Sequence, residues 1–300
     1  MRKLRAALLA CVAALVAWQP AEGRGQEAGP VAVLVRVIDT SAWSPPSPDP
    51  TDVAYARAIR KLVVVDGEVE ETSLFQGANA FRARPNTGAL QGAFDLTGIT
   101  REPAGVAVPG RSRRTLYVSD DNADRIFIIR AGPDRRWGTE DDRVRSISTR
   151  AFGSADPEGL GFGLRSLFVA DGSATEIFRI RRRGAFDGPP PDGDDVVTSF
   201  DTAGLGLSEP EGVDLDPASG HLFIVSRREK VIVEVTLRGR PVARYDVSAS
   251  GIEEPSGLAV ARAEDGGLLL YVSDRGVDNN EDPAENDGRI FVFSVAPTPG

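Results

Sequence analysis

Short apolar strands recur along the chain at a nearly constant period. Each repeat opens at a proline corner, followed by a strand that is apolar at alternate positions, a second apolar strand that usually ends in Asp, and a third strand that opens on an apolar–aromatic pair. The corners are Pro50, Pro103, Pro157, Pro210 and Pro255, at spacings of 53, 54, 53 and 45 residues. A repeat of this length filled with short strands predicts a β-propeller, an all-β ring of four-stranded blades.

The fourth strand of each repeat determines how the predicted ring closes. Repeats one to four each supply such a strand, but the chain ends at Gly300 before the fifth repeat supplies its own. Residues 33–40 run into a proline-rich corner as residues 197–202 do, so we predict that they form the outer strand of the last blade. This pairing removes two exposed sheet edges, which otherwise invite association. We expect five blades, and six is the alternative if a long insertion contains a degenerate blade.

The first 25 residues have the pattern of a secretory signal peptide. Arg2, Lys3 and Arg5 precede a short apolar run that ends before Pro20. We therefore expect a secreted or periplasmic protein with a single propeller domain over residues 31–296. The only cysteine, Cys11, lies in the leader, so the exported chain would have no disulfide, and a lipid anchor at this cysteine is the alternative. No later apolar run approaches the roughly 20 residues of a membrane-spanning helix.

The acidic balance of the chain limits its partners. The formal net charge is −9, and it becomes more negative without the basic leader. An acidic exterior repels nucleic acid and anionic membranes, and divalent cations are its natural counter-charge. We expect a monomer whose partner is an extracellular macromolecule or a small anionic ligand.

Carboxylates gather on one side of the predicted disc. The corner before the first strand and the loop after the second strand of every blade emerge on that side, around the mouth of the central channel. The candidate metal ligands there are Asp66, Asp120, Glu158, Asp171, Glu211 and Asp274, and Asp52 and Asp121 belong to the same ring. A hard cation offsets such a ring, and calcium is the expected occupant. The alternative interpretation is that strand-ending aspartates cap turns by accepting backbone N–H groups.

Outer hairpins carry a separate acidic signal. Asp134, Asp141 and Asp142 lie in the turn between the third and fourth strands of blade two, and they can supply several of the about six to eight oxygens that calcium takes. Residues 186–195 occupy the equivalent place in blade three. An ordinary acidic turn is the alternative for these hairpins, and a solvated loop is the alternative for a third acidic patch at residues 278–287.

Two stretches of the chain resemble known propeller families. Residues 102–106 (EPAGV), followed by 116–120 (LYVSD) and 125–127 (RIF), resemble an NHL-type propeller repeat, and residues 210–237 are similar to the SdiA-regulated and esterase-like phytase propellers. The resemblance covers nearly all of the chain after the leader. It implies an exported β-propeller of a kind that includes scaffolds, lactonases and phosphoester hydrolases. Such families commonly have six blades, and Asp52 replaces the corner glycine here, so the resemblance transfers no active site.

Two functions from different classes remain open. His221 is the only histidine, so Ser-His-Asp and Cys-His mechanisms are not expected. The first hypothesis is an exported, calcium-stabilised propeller that acts as a binding or scaffold module. The second is a metal-dependent hydrolase of phosphoesters, esters or lactones with its site at the channel mouth. Its candidate ligands or base are Glu158, Glu211, Asp120 and Asp171. Arg227 and Arg228 disfavour a symmetric metal ring, but they would suit an anionic substrate.

Overall fold

The computed structural model describes residues 31–69, 74–263, 266–279 and 281–296. The expected signal peptide, residues 1–25, and Cys11 lie outside this part of the chain. Within it, the strands form five separate four-stranded antiparallel sheets. The described residues contain no helix that is both long and apolar enough to cross a bilayer. The prediction of five blades is confirmed, and the six-blade alternative is wrong.

The first four blades are meanders of consecutive strands. Blade one consists of β2 (Pro50–Ala56), β3 (Lys61–Asp66), β4 (Ala80–Ala83) and β5 (Leu90–Phe94). Blade two consists of β6 (Gly105–Ala107), β7 (Thr115–Asp120), β8 (Arg125–Arg130) and β9 (Arg143–Ser148). Blade three consists of β10 (Pro157–Gly163), β11 (Ser166–Asp171), β12 (Glu176–Arg181) and β13 (Val196–Asp201). Blade four consists of β14 (Pro210–Asp216), β15 (His221–Ser226), β16 (Val231–Val235) and β17 (Pro241–Asp246). Short 3-10 helices follow β9, β13 and β17, at Arg150–Phe152, Ala203–Leu205 and Ser248–Ser250.

The N-terminal strand closes the ring, as the sequence predicts. Blade five contains β18 (Pro255–Arg262), β19 (Leu268–Asp274) and β20 (Arg289–Val295), and its outer strand is β1 (Val33–Asp39). β1 pairs antiparallel with β20, with Asp39 opposite Arg289. The two distant parts of the chain therefore complete one sheet, and neither β1 nor β20 is left as an unpaired edge on that side.

The hydrophobic core is divided among the five interfaces between neighbouring blades. One buried cluster lies at each interface, and the cluster between blades five and one is typical. It packs Tyr271 and Ile290 of blade five against Val53, Val64 and Phe81 of blade one. Because every blade is buried on both faces, removal of any one of them would expose two apolar surfaces.

Glycine at the blade corners lets the inner strands approach one another closely. A Cβ atom added to Gly159 would lie 2.5 Å from the carbonyl oxygen of Glu211, and one added to Gly212 would lie 2.7 Å from the carbonyl carbon of Gly257. An added Cβ at Gly105 would also meet backbone of the next blade. The third position of the repeated corner is therefore glycine because a side chain there would collide with the neighbouring inner strand.

Asp52 occupies this position in blade one, and its carboxylate fills the axis of the ring. Oδ1 accepts the backbone N–H groups of Val53 at 2.8 Å and Leu258 at 3.1 Å, and Oδ2 accepts those of Val106 at 2.8 Å and Leu160 at 3.1 Å. These donors belong to the inner strands of blades one, five, two and three. The sequence placed Asp52 in the ring of carboxylates at the mouth, but the structure buries it completely, and it closes the central channel at this level.

Candidate metal site on the acidic face

The strand-ending aspartates of the predicted ring are engaged in turns. All four are buried: Asp66, Asp120, Asp171 and Asp274. The carboxylate of Asp171 shows the pattern, because Oδ2 accepts the N–H of Asp156 at 3.3 Å and Oδ1 accepts that of Ala174 at 2.6 Å. The other three accept hydrogen bonds from their own corners and turns in a similar way. These contacts agree with the turn-capping interpretation, and metal binding by these four residues remains a prediction.

Blade four achieves the same contact with a different residue. Its second strand ends in Ser226, and the carboxylate of Glu229, three residues later, accepts the N–H of Ser208 at 3.2 Å and its hydroxyl at 2.6 Å. Glu229 thus holds the corner of its blade as the strand-ending aspartates hold theirs. Blade four therefore lacks the strand-ending aspartate of the sequence pattern, but the carboxylate of Glu229 makes the equivalent contact.

A group of three carboxylates lies at the mouth between blades two and three, on the side of the disc that we call the acidic face. One oxygen each of Asp121, Asp156 and Glu158 lies within 4.8 Å of the others. Asp121 directly follows the end of β7, while Asp156 and Glu158 flank the corner proline of blade three. The sequence predicts Asp121 and Glu158 in the ring at the mouth but does not predict Asp156. Its only signal in the sequence is an acidic residue on the other side of the same proline.

Glu211 of blade four borders this group. A Cβ atom placed on Gly172 would lie 3.2 Å from Oδ2 of Asp156, 3.8 Å from Cγ of Glu158 and 3.8 Å from Oε1 of Glu211. Gly172 therefore lies among three acidic side chains that come from two blades. Of the predicted ring, the structure brings Glu158 and Glu211 together at the mouth.

Burial and mutual repulsion perturb these carboxyl groups. The pKa of Glu158 lies well above its usual value, chiefly because of burial and further because of Glu211, Asp121 and Asp156. Burial likewise raises the pKa of Glu211 to about 7, against the opposing effect of Arg227 and other cations. The acidic face therefore needs a proton or a cation near Glu158 at neutral pH.

Two arginines supply part of that positive charge from the opposite side of the mouth. Arg275 donates to Glu68 at 2.7 Å, and its charge lowers the pKa of both Glu158 and Glu211. The Nε atom of Arg227 lies 3.6 Å from Glu211. The mouth is therefore divided between carboxylates at blades two and three and arginine–glutamate pairs at blades four, five and one.

The predicted ligands of the blade-two hairpin form a hydrogen-bonded acidic turn. Asp142 accepts the N–H of Gly138 at 2.8 Å, and Asp141 accepts the N–H of Asp134 at 3.2 Å and the hydroxyl of Thr139 at 2.8 Å. These bonds lower the pKa of Asp141. The carboxylates are thus already occupied by donors of the turn itself, and calcium binding at this hairpin remains a prediction.

The equivalent hairpin of blade three brings its carboxylates closer together. One oxygen each of Asp187, Asp194 and Asp195 lies within 4.8 Å of the others. Asp195 is 2% exposed; its Oδ2 accepts the N–H groups of Asp187 and Gly188, each at 3.0 Å, and its Oδ1 is buried without a partner among the described residues. A buried carboxylate oxygen with a free lone pair beside two further carboxylates is a donor set that calcium can use.

Comparison with known proteins supports the fold assignment. No protein-family model and no curated protein sequence matches this chain. The structure is similar to glutaminyl cyclase of Myxococcus xanthus, with a TM-score of 0.54 and 14% identity over 89% of this chain and 98% of that one. It is also similar to the PQQ-bound aldose sugar dehydrogenase of Streptomyces coelicolor (TM-score 0.51, 15% identity, 88% and 98% covered) and to a luciferin-regenerating enzyme (TM-score 0.51, 11% identity, 91% and 98% covered). At these identities the likeness shows the propeller fold alone. The resemblance to NHL-type, SdiA-regulated and esterase-like phytase propellers remains a prediction.

Proposed function

We propose that this chain is an exported β-propeller that binds calcium and acts as a binding module rather than as an enzyme. The observation that carries the proposal is the group formed by Asp121, Asp156 and Glu158, with Glu211 at its border. Carboxylate oxygens are the ligands that calcium prefers, and a divalent ion would offset the charge that burial makes costly at Glu158. The acidic face around this ion would then present the surface for a partner.

The surroundings of the histidine show that it takes no part in the proposed ion site. Nδ1 of His221 lies 2.7 Å from the buried carboxylate of Glu234, which also accepts the hydroxyl of Tyr245 at 3.0 Å. His221 begins β15, and this end of the strand lies on the face opposite the acidic face. The one imidazole of the chain is therefore a packing element of blade four and is remote from the proposed ion.

Calcium titration of the purified protein by isothermal calorimetry tests the proposal. We expect saturable binding that the double substitution Asp156→Asn/Glu158→Gln weakens at the acidic face, because it removes two of three charged ligands. Asp187→Asn/Asp194→Asn should instead weaken a second binding event, at the blade-three hairpin. The matched control Asp201→Asn/Asp246→Asn removes two exposed acidic charges at the ends of the outer strands β13 and β17 and should leave the titration unchanged. Identical titrations for wild type and the acidic-face variant would contradict the proposed site.

Metal-dependent hydrolysis is the second candidate function, and one observation favours it. The pKa of about 7 at Glu211 would let this carboxyl act as a general base at neutral pH, next to the proposed ion. Release of nitrophenol from p-nitrophenyl phosphate and p-nitrophenyl butyrate, measured with calcium and with chelator, tests this candidate. Turnover that requires calcium and is lost in Glu211→Gln would replace the binding-module proposal, whereas no turnover on either ester removes the hydrolase.

A further inference from the structure

We propose that the face opposite the acidic face binds a small organic anion with an aromatic or apolar body. A cavity of about 850 Å³ opens at the ring axis on that face. We call it the arginine cavity after its four arginines, Arg57, Arg111, Arg165 and Arg182. It is lined mainly by the turns between first and second strands of blades one to four, so it is separate from the proposed calcium site on the acidic face.

The cavity exists because one inner strand is short. β6 ends at Ala107 after three residues, whereas the other inner strands run for seven or eight. The chain then leaves the sheet through Pro109 and Gly110, which line the cavity. Small side chains at Ala54 and Ala107 add to the space near the axis. Its volume lies within the range of about 300–1,000 Å³ that small-molecule sites typically have.

The charge of the lining is opposite to that of the chain as a whole. Within the described residues, none of the four arginines of the cavity forms an ion pair with a carboxylate. Nε of Arg182 is buried without a hydrogen-bond partner. The single acidic residue of the lining is Asp214, and its oxygens accept the N–H groups of Leu215 and Val260, each at 2.8 Å. The charge of Arg57 opposes the rise that burial causes in the pKa of Asp214, so this one carboxylate offsets only part of the charge of the four arginines.

An aromatic wall stands beside these arginines. Tyr117 and Phe162 line the cavity and stack with ring centroids 5.6 Å apart and planes 8° from parallel. Phe186 contacts Tyr117 edge-on at 5.4 Å and lies under the guanidinium of Arg182. Burial raises the pKa of Tyr117 to about 12, so its hydroxyl stays neutral and can donate a hydrogen bond.

This combination defines the chemistry of the ligand. Guanidinium groups bind carboxylate and phosphate oxygens through paired, charge-assisted hydrogen bonds. The rings of Tyr117 and Phe162 offer a flat apolar surface for an aromatic or hydrocarbon body. Arg130, Arg143 and Arg145 line an adjoining cavity that shares Tyr117, so positive charge extends outward from the site. The favoured ligand is a carboxylate or phosphate monoester with a ring or short hydrocarbon group, small enough for a single cavity.

Calorimetric titration of the full protein with phenyl phosphate tests this inference. Inorganic phosphate and phenol, each of which contains only one part of that ligand, are titrated for comparison. Phenyl phosphate should bind more tightly than either, because only it meets both the arginines and the aromatic wall. Arg57→Ala/Arg111→Ala should weaken its binding by about tenfold or more, as expected for the loss of hydrogen bonds from charged donors. Both residues are exposed, so the variant should keep the fold and its melting temperature.

The control Arg84→Ala/Arg238→Ala removes two exposed arginines from turns on the same face that do not line the cavity. It should bind phenyl phosphate as the wild type does. Equal weakening in both double variants would mean that net charge alone attracts the anion and would overturn the site. Absence of heat with phenyl phosphate in the wild type would overturn it as well. Inorganic phosphate that binds as tightly as phenyl phosphate would overturn the part assigned to the aromatic wall.

Discussion

Replacing Asp52 with alanine should lower the free energy of unfolding by about 3–5 kcal/mol, because it leaves several buried backbone N–H groups without an acceptor. The carboxylate accepts four backbone N–H groups from four blades at the axis, and Asp52 is completely buried there. In Asp52→Asn the side-chain oxygen can still accept hydrogen bonds but the amide nitrogen cannot. This variant should therefore lose less free energy of unfolding than Asp52→Ala does. Urea denaturation followed by circular dichroism measures the change.

Asp52→Gly is the informative companion to that variant, because it restores the residue found at the other four corners. If the carboxylate is the stabilising feature, glycine leaves the four N–H groups without an acceptor and is no better than alanine. Recovery of wild-type stability in Asp52→Gly would show that the repeat tolerates an open axis and would contradict the role of the carboxylate. Asp246→Ala removes an exposed carboxylate that accepts from Ser248 and should leave the midpoint within experimental error.

The second large effect concerns pH. Asp49 is fully buried, and neither of its carboxylate oxygens has a partner among the described residues. Burial first, then the nearby Asp66, raises its pKa from 3.8 to about 9. Between these two values the folded protein holds a proton that the unfolded chain releases, so the fold loses stability as pH rises through this window. The raised pKa values of Glu211 and Asp214, each about 7, act in the same direction.

Asp49→Asn should reduce this loss, because the amide stays neutral at every pH. Urea midpoints at pH 5, 7 and 9 in calcium-free buffer should fall less steeply for the variant than for wild type, with the largest gain at pH 9. Asp246→Asn provides the control. Hydrogen bonds from Ser248 lower the pKa of this exposed carboxyl, so Asp246 affects stability only in more acidic solution. From pH 5 to 9 the urea midpoint of Asp246→Asn should therefore change with pH as that of wild type does. If the urea midpoints of Asp49→Asn and wild type fell equally with pH, the role assigned to the raised pKa of Asp49 would be contradicted.

The blade count and the closing strand could be predicted from the sequence because both depend on local patterns. The corner prolines recur at a fixed spacing, and β1 has the same exit into a corner as the fourth strands of other blades. The role of Asp52 was missed although its signal was present. It is the one charged residue at a position that is glycine in the other four repeats, and a lone carboxylate facing the axis has four backbone donors within reach.

The candidate site was predicted only in part, for a physical reason. An aspartate at the end of a strand can either cap the next turn or face the mouth, and the sequence is the same in both cases. The path of the following loop decides which role the side chain takes. Asp120 turns inward to its own blade, while the next residue, Asp121, meets Asp156 and Glu158 of the neighbouring blade. Contacts between blades depend on how the corner of one blade is positioned relative to the corner of the next. The spacing of the repeats along the sequence does not determine that position.

The hydrogen bond from Leu258 to Asp52 joins residues that are 206 positions apart in the chain. It forms after the first and last blades have met, and the carboxylate loses a donor in any assembly that lacks blade two, three or five. In linear repeat arrays each unit contacts its neighbours alone, so unfolding proceeds gradually from the ends. In this protein one side chain links four of the blades and apolar clusters join blade four to both neighbours, so unfolding is expected to be all-or-none across the five blades.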